Sequence, residues 1–90
     1  MGKDKLRRFA EIATFDNVLE LEAGKALKGN WSKTQFKNDK PLVLELACGK
    51  GEYTVNMARL FPDKNFVGVD YKGNRIWRGA KTAIEEQITN

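Results

Sequence analysis

The chain has 90 residues, of which 41% are hydrophobic and 31% charged, so it is long enough for one small domain at most. One cysteine and no histidine exclude a disulfide framework, a Cys/His metal site and catalysis by a histidine of this chain. No apolar run approaches the roughly 18–20 residues of a membrane span, and no signal-peptide core follows the basic first residues. We therefore expect a cytoplasmic protein with no membrane partner.

Residues 1–40 form a basic N-terminal segment, with nine lysines and arginines against six acids. Apolar residues at spacings of three and four predict an amphipathic helix over residues 5–13. Residues 17–22 fit either a strand or a turn, and the lysine-rich residues 25–40 are typical of a linker. Two aromatic side chains in that linker are expected to pack on the following domain, with stacking on nucleic-acid bases as the alternative.

Residues 41–90 alternate between strand and helix patterns. The predicted elements are a strand at 42–46, a helix at 52–61, a strand at 66–70 and a helix from Gly73. This β–loop–α–β–α order predicts an α/β fold, the N-terminal portion of a doubly wound Rossmann-like domain with its two strands adjacent and parallel. Two strands cannot make a covered sheet, so we expect a C-terminal remainder of the domain, or another chain, to complete it.

A glycine loop joins the first strand of this unit to its first helix. Gly49 and Gly51 tolerate positive φ and lack a Cβ, so a ligand can approach the backbone next to the free N–H groups of the helix. Asp70 ends the second strand, where a carboxylate can accept hydrogen bonds from the hydroxyls of a ribose. The arrangement predicts a site for an adenosine cofactor, and a tight turn with a capping aspartate is the alternative.

Two further residues discriminate between adenosine cofactors. Thr54 stands where the dinucleotide fingerprint has a third small residue, which disfavours NAD. Glu45 lies in the strand before the loop, where a carboxylate would repel a pyrophosphate. The amino group and the sulfonium of S-adenosylmethionine are cationic, so this cofactor suits an acid at that place. The sequence therefore favours S-adenosyl-L-methionine.

The string Leu-Glu-Leu-Ala-Cys-Gly-Lys-Gly-Glu, residues 44–52, resembles the first motif of class I S-adenosylmethionine-dependent methyltransferases. With the Phe-Pro-Asp of residues 61–63 and the strand that ends in Gly-Val-Asp, the chain resembles the tRNA (guanine-N7)-methyltransferase family over residues 42–80. The resemblance implies methyl transfer to N7 of a guanine in tRNA, with this chain supplying the cofactor-binding half and inactive alone. A class I methyltransferase with another acceptor, or a non-catalytic binding fragment, is the alternative.

The resemblance also implies roles for individual residues. The implied cofactor-binding residues are Glu45, Ala47, Gly49, Gly51 and Asp70, with Ala47 standing where many members have glycine. The basic excess of residues 1–40, and not the resemblance, makes Lys3, Lys5, Arg7 and Arg8 expected RNA contacts. Lys50 is a further expected RNA contact, with a solvated loop lysine as the alternative. Catalytic and guanine-binding residues are expected beyond Asn90. Guanine N7 has a free lone pair and no proton to lose, so the reaction needs orientation more than a general base.

Four other side chains receive ordinary structural interpretations. Cys48 is expected to be a small packing residue, since no basic group is placed to form its thiolate. Trp77 is expected to anchor a helix on the sheet, with stacking on a ligand as the alternative. Arg75 and Arg78 are expected to form a solvated helix face, with RNA phosphate as the alternative partner.

Overall fold

The computed structural model describes residues 2–90, with side chains from Asp4 onward. The elements are, in chain order, α1 (Gly2–Ile12), α2 (Leu21–Ala26), a π-helical segment (Trp31–Phe36), β1 (Leu42–Leu46), α3 (Glu52–Leu60), β2 (Asn65–Val69) and α4 (Gly73–Glu85). Within this described part of the chain, no helix has the length and apolar character that crossing a membrane requires.

The strands and helices predicted after Pro41 are confirmed, and each predicted bound lies within one residue of the observed bound. The basic segment is more helical than expected. Its first helix begins at Gly2, α2 begins within the ambiguous residues 17–22, and a π-helical segment lies inside the expected linker. Trp31 and Phe36 of that segment are half-buried, as packing side chains would be.

The two strands form a parallel pair, as predicted. Leu42 lies opposite Asn65 and Leu46 lies opposite Val69, so the strands run in register over their whole length. Helix α3 packs against β2 and α4. The apolar side chains of β1 stay open to solvent, and Leu46 is 74% exposed. A mostly apolar strand is typical of the interior of a sheet. The contacts within this chain therefore cover only part of the apolar surface of β1.

Helix α1 packs against α4 and places the basic segment on the α/β unit. Ile12 and Trp77 are buried at this contact. The indole Nε1 of Trp77 donates a hydrogen bond to Glu11 Oε1 at 2.9 Å. Gly73 begins α4 so close to α1 that a Cβ would lie 2.9 Å from Ile12 Cδ1. Trp77 therefore joins α4 to α1, whereas we expected it to anchor a helix on the sheet.

Amide side chains close the amino ends of the strands. Asn65 is fully buried and donates from Nδ2 to Asn38 Oδ1 at 2.7 Å. Asn90 donates from Nδ2 to the carbonyl oxygens of three residues that surround the end of α3 and the start of β2, namely Ala58, Phe61 and Lys64. These contacts fix β2 between segments that are far apart in sequence.

Candidate functional site

The loop after β1 turns sharply through left-handed backbone. The φ angles of Ala47, Gly49 and Gly51 are 57°, 57° and 75°. The amide of Cys48 donates to the carbonyl oxygen of Val69 at 2.9 Å, and the amide of Gly51 donates to that of Cys48 at 2.9 Å. The loop is thus tied to the end of β2 before the chain enters α3.

Asp70 holds the loop through both of its carboxylate oxygens. Oδ2 accepts the amide of Gly49 and Oδ1 accepts the amide of Lys72, each at 2.9 Å. These two hydrogen bonds, first that of Lys72, lower the pKa of Asp70 below its ordinary value, and the nearby charges of Arg75 and Lys72 add to the effect. The carboxylate is therefore ionised at neutral pH. Each oxygen keeps a lone pair for a further donor.

Glu45 provides the second carboxylate at this edge of the sheet. It lies opposite Gly68 in the strand pair, is half-buried, and accepts a hydrogen bond from the hydroxyl of Thr54. The sequence pointed to Thr54 only as an argument against a dinucleotide, so this contact with Glu45 was missed. A hydroxyl nine residues after an acid can reach it when a strand, a tight loop and a helix lie between them.

Gly68 has no side chain, so Cys48 and Thr54 can pack closely beside it. A Cβ on Gly68 would lie 2.9 Å from Cys48 Sγ and 3.1 Å from Thr54 Oγ1. Burial raises the pKa of the Cys48 thiol, and the negative charges of Asp70 and Glu45 raise it further. The thiol is therefore protonated at neutral pH, which supports the packing role expected for Cys48.

The loop has open space beside its backbone at Gly49. A Cβ built on Gly49 would meet no atom within 4 Å, so the space beside this backbone is free. Glu45 and Asp70 stand at the same edge, and the N–H groups at the start of α3 adjoin them. Two acids beside open backbone suit a ligand that brings a positive charge and hydroxyl donors. S-adenosylmethionine has both features, so the residues present fit this cofactor.

Of the four predicted RNA contacts whose side chains are described, two line a common cavity. Arg8 and Lys50 line the same cavity between α3 and α4. Arg7 is engaged with Asp4 and Glu11, each at 3.7 Å, and Lys5 is exposed on α1. The side chain of Lys3 lies outside the described residues. Neither Lys5 nor Arg7 belongs to the cavity lining.

The fold and this edge define a class of protein. A parallel β–loop–α–β–α unit with a glycine loop and an acid after the second strand is typical of α/β proteins that bind a ligand at the carboxyl ends of their strands. A family model described as "Putative methyltransferase" matches residues 39–90. The chain belongs to this methyltransferase family, and membership implies a methyl donor.

Curated relatives extend the similarity to the whole chain. A tRNA (guanine-N(7)-)-methyltransferase of Christiangramia forsetii is 57% identical over 99% of this chain and 42% of its own length. Proteins of the same name from Bacteroides fragilis and Bacteroides thetaiotaomicron are 48% and 46% identical over 100% of this chain and 38% of their own lengths. The chain thus spans about two fifths of the relatives it matches. No solved structure matches it.

Proposed function

We propose that this chain is the cofactor-binding part of an S-adenosylmethionine-dependent tRNA (guanine-N7)-methyltransferase. The observation that carries the proposal is the pair of acids beside the open glycine loop, which suits a cationic cofactor with ribose hydroxyls. The acceptor is inferred from the name of relatives that align with the entire chain at 46–57% identity.

Different residues at the carboxyl ends of the strands are proposed to contact different parts of the cofactor. In our proposal, Asp70 accepts hydrogen bonds from the ribose hydroxyls with the lone pairs that Gly49 and Lys72 leave free. Glu45, oriented by Thr54, serves the cationic methionine end. Ala47, Gly49 and Gly51 form the backbone against which the cofactor lies. When bound, S-adenosylmethionine supplies an electrophilic methyl group on its sulfonium.

This chain contributes orientation rather than proton transfer. Guanine N7 has no proton to lose, so a methyl transfer to it requires alignment of the lone pair with the methyl carbon. The absence of histidine is compatible with that demand. Residues that hold the guanine are proposed to lie in the C-terminal remainder, which the longer relatives possess.

We also propose the domain organisation on which this function depends. Residues 1–40 form a basic N-terminal segment, and residues 41–90 form the first half of a doubly wound Rossmann-like domain. The support lies in β1, whose side chains Leu44 and Leu46 are 57% and 74% exposed although the strand is mostly apolar. Further strands and helices from the remainder would cover these side chains.

The test uses the full-length protein with Asp70→Ala and, as a matched control, Asp63→Ala, which removes an exposed acid after α3. Titration calorimetry should show S-adenosylmethionine affinity reduced roughly tenfold to hundredfold by Asp70→Ala, as for the loss of hydrogen bonds to a charged acceptor. Asp63→Ala should bind like the wild type. Equal affinity of both variants and the wild type would remove Asp70 from the site.

The acceptor is tested separately. The full-length protein should transfer a methyl group from S-adenosylmethionine to tRNA, and chemical cleavage at 7-methylguanine should locate the product. Labelling of tRNA without such cleavage would assign another acceptor atom. A complete lack of transfer by a protein that binds the cofactor would favour a non-catalytic binding role.

A further inference from the structure

A basic cavity lies between α3 and α4, with Lys50 of the glycine loop in its lining. Its volume is about 740 Å³. Both helices contribute residues at spacings of three, four and seven, which is the spacing of a single helix face. The lining residues are Arg8, Lys50, Glu52, Val55, Asn56, Arg59, Asn74, Arg75, Arg78, Gly79 and Thr82. Five of these carry a positive charge and one carries a negative charge.

Most of the positive charges in the cavity lack an internal partner. Within residues 4–90, the side chains of Lys50, Arg75 and Arg78 form no ion pair and no hydrogen bond, and all three are exposed. Arg59 differs, because Glu86 accepts two hydrogen bonds from its guanidinium at 2.8 and 2.7 Å. The fold therefore neutralises one cation of the cavity and leaves three available.

Arg8 adds a fourth cation from α1. Its guanidinium carbon lies 4.5 Å from the centre of the Trp77 ring, which holds the side chain against α4. Its Nε is enclosed and has no hydrogen-bond acceptor among the described residues. An enclosed donor without an acceptor is uncommon in folded proteins, so this atom marks a place where an external acceptor would be stabilising.

Two glycines bring the start of α3 and α4 into close contact beside the cavity. A Cβ on Gly79 would lie 2.6 Å from the carbonyl oxygen of Lys50 and 3.2 Å from Gly51 Cα. This close approach sets the amino end of α3 against the middle of α4, and Asn74 and Arg75 from the first turn of α4 line the same cavity. The amino ends of both helices carry the partial positive charge of a helix amino terminus, which adds to the charge of Lys50 and Arg75.

We propose that this cavity binds the phosphodiester backbone of RNA, with Arg8, Lys50, Arg75 and Arg78 as the phosphate contacts. The RNA is tRNA if the proposed function holds, and in that respect the inference rests on it. A single phosphate would occupy a small part of about 740 Å³, whereas a backbone strand places several phosphates along two helix faces. The lining offers no aromatic ring on which a base would stack, so recognition here is through charge.

The site lies apart from the residues proposed for the cofactor. Glu45 and Asp70, which accept hydrogen bonds at the strand ends, do not line the cavity. Lys50 belongs to the glycine loop itself, so it connects the two sites. An RNA backbone in the cavity would consequently pass close to the loop that is proposed to hold the methyl donor.

The experiment compares the full-length wild type with Arg75→Gln/Arg78→Gln and with Lys25→Gln/Lys28→Gln. The second pair removes the same charge from exposed positions outside the cavity. Binding of unmodified tRNA is measured at several salt concentrations. Loss of two phosphate contacts should reduce the slope of log affinity against log salt concentration by roughly 1.4–1.8. At 0.1 M salt this corresponds to tRNA binding that is weaker by about 25-fold or more. Arg75→Lys/Arg78→Lys should keep most of the affinity, and S-adenosylmethionine affinity should be unchanged in all variants.

Two results would overturn the proposal. The first is an arginine-to-glutamine variant that binds tRNA with the wild-type affinity and salt slope. The second is an equal loss in the Lys25/Lys28 control, which would assign the effect to net charge alone. If the arginine variant loses cofactor binding, Lys50→Gln replaces it, and a slope lowered by less than about 0.5 would then contradict the proposal. Methyl transfer by the wild type is scored independently, so the proposed function and this site can fail separately.

Discussion

The two ends of the strand pair are held by different chemistry. At the amino ends, neutral amides make the contacts: Asn65 is fully buried against Asn38, and Asn90 donates to three carbonyl oxygens. At the carboxyl ends, two carboxylates make them, since Asp70 accepts two backbone amides and Glu45 accepts the hydroxyl of Thr54. Apart from Lys40, whose Nζ donates to the carbonyl oxygen of Pro62 at 2.9 Å, the amino ends are therefore joined by neutral hydrogen bonds, and the carboxyl ends by charged ones.

This difference agrees with the proposed division between structural and binding roles within one small unit. Neutral amides can be buried once they are hydrogen-bonded, and they leave no net charge to attract a ligand. Ionised carboxylates keep spare lone pairs and a field that favours cations. Half-buried acids beside open backbone at one end, with the fully buried amide of Asn65 at the other, support the proposal that the cofactor binds at the carboxyl ends.

The largest expected effect comes from placing a charge at the amino end. Asn65→Asp would bury a carboxylate that faces the acceptor oxygen of Asn38, and we expect a loss of about 3–5 kcal/mol in the free energy of unfolding at pH 7. Burial raises the pKa of the new carboxyl, so stability should return as the pH falls and the group is protonated. Urea unfolding of the full-length variant at pH 7 and pH 4.5 measures both effects.

Asn65→Ala is the control, because it removes the amide without adding a charge. Its loss should be smaller and should not depend on pH. An Asn65→Asp variant as stable as the wild type at pH 7 would show that the amino end tolerates charge, and the contrast between the two ends would then disappear.

The next effect comes from filling space at the carboxyl end. Gly68→Ala would place a Cβ 2.9 Å from Cys48 Sγ, and the overpacking should cost about 1–3 kcal/mol of stability. Adding Cys48→Ala removes the nearest atom and should recover part of the loss. Gly24→Ala in α2 is the matched control, because a Cβ there meets nothing within 4 Å. Thermal unfolding of the three variants decides whether Gly68 is required for space.

The pH dependence of the carboxyl end provides the third test. The pKa of Asp70 is lowered, so its contribution to stability is present at neutral pH and is lost as the pH falls below the ordinary value of 3.8. Asp70→Asn should flatten the pH dependence of the free energy of unfolding between pH 5 and pH 2.5. Parallel curves for the variant and the wild type would show that the Gly49 and Lys72 hydrogen bonds do not favour the ionised form.

Local pattern predicts much of the α/β unit but little of the tertiary contact. The elements 42–46 and 52–60 follow from apolar runs and helical spacing, which are properties of neighbouring residues. The contact between Glu11 and Trp77 joins residues 66 positions apart, and no spacing rule links them. The cavity of Arg75 and Arg78 likewise depends on how closely α3 and α4 approach, so those arginines looked like an ordinary solvated face.

The candidate site shows the same limit. An acid before the glycine loop and an acid after the second strand could be identified because the order of elements places both at one sheet edge. The orientation of Glu45 by Thr54 could not, because it depends on the tight loop between them. The left-handed backbone at Ala47 could not be predicted either, because the sequence shows only an alanine where many members of the family have glycine.

The smallest effect concerns Ala47. Its φ of 57° lies in the left-handed region, where a Cβ costs about 1–2 kcal/mol and glycine is free of that cost. Glycine loses more backbone entropy on folding, by roughly 0.5–1 kcal/mol, so Ala47→Gly should raise stability by about 0.5–1 kcal/mol. Gln87→Gly tests the same substitution at a φ of 56° after α4, remote from the loop. Both should raise the melting temperature of the full-length protein. A gain at Gln87 without one at Ala47 would mean that the loop does not hold left-handed backbone at Ala47 in solution, and Asp70 alone would then define the geometry of the carboxyl end.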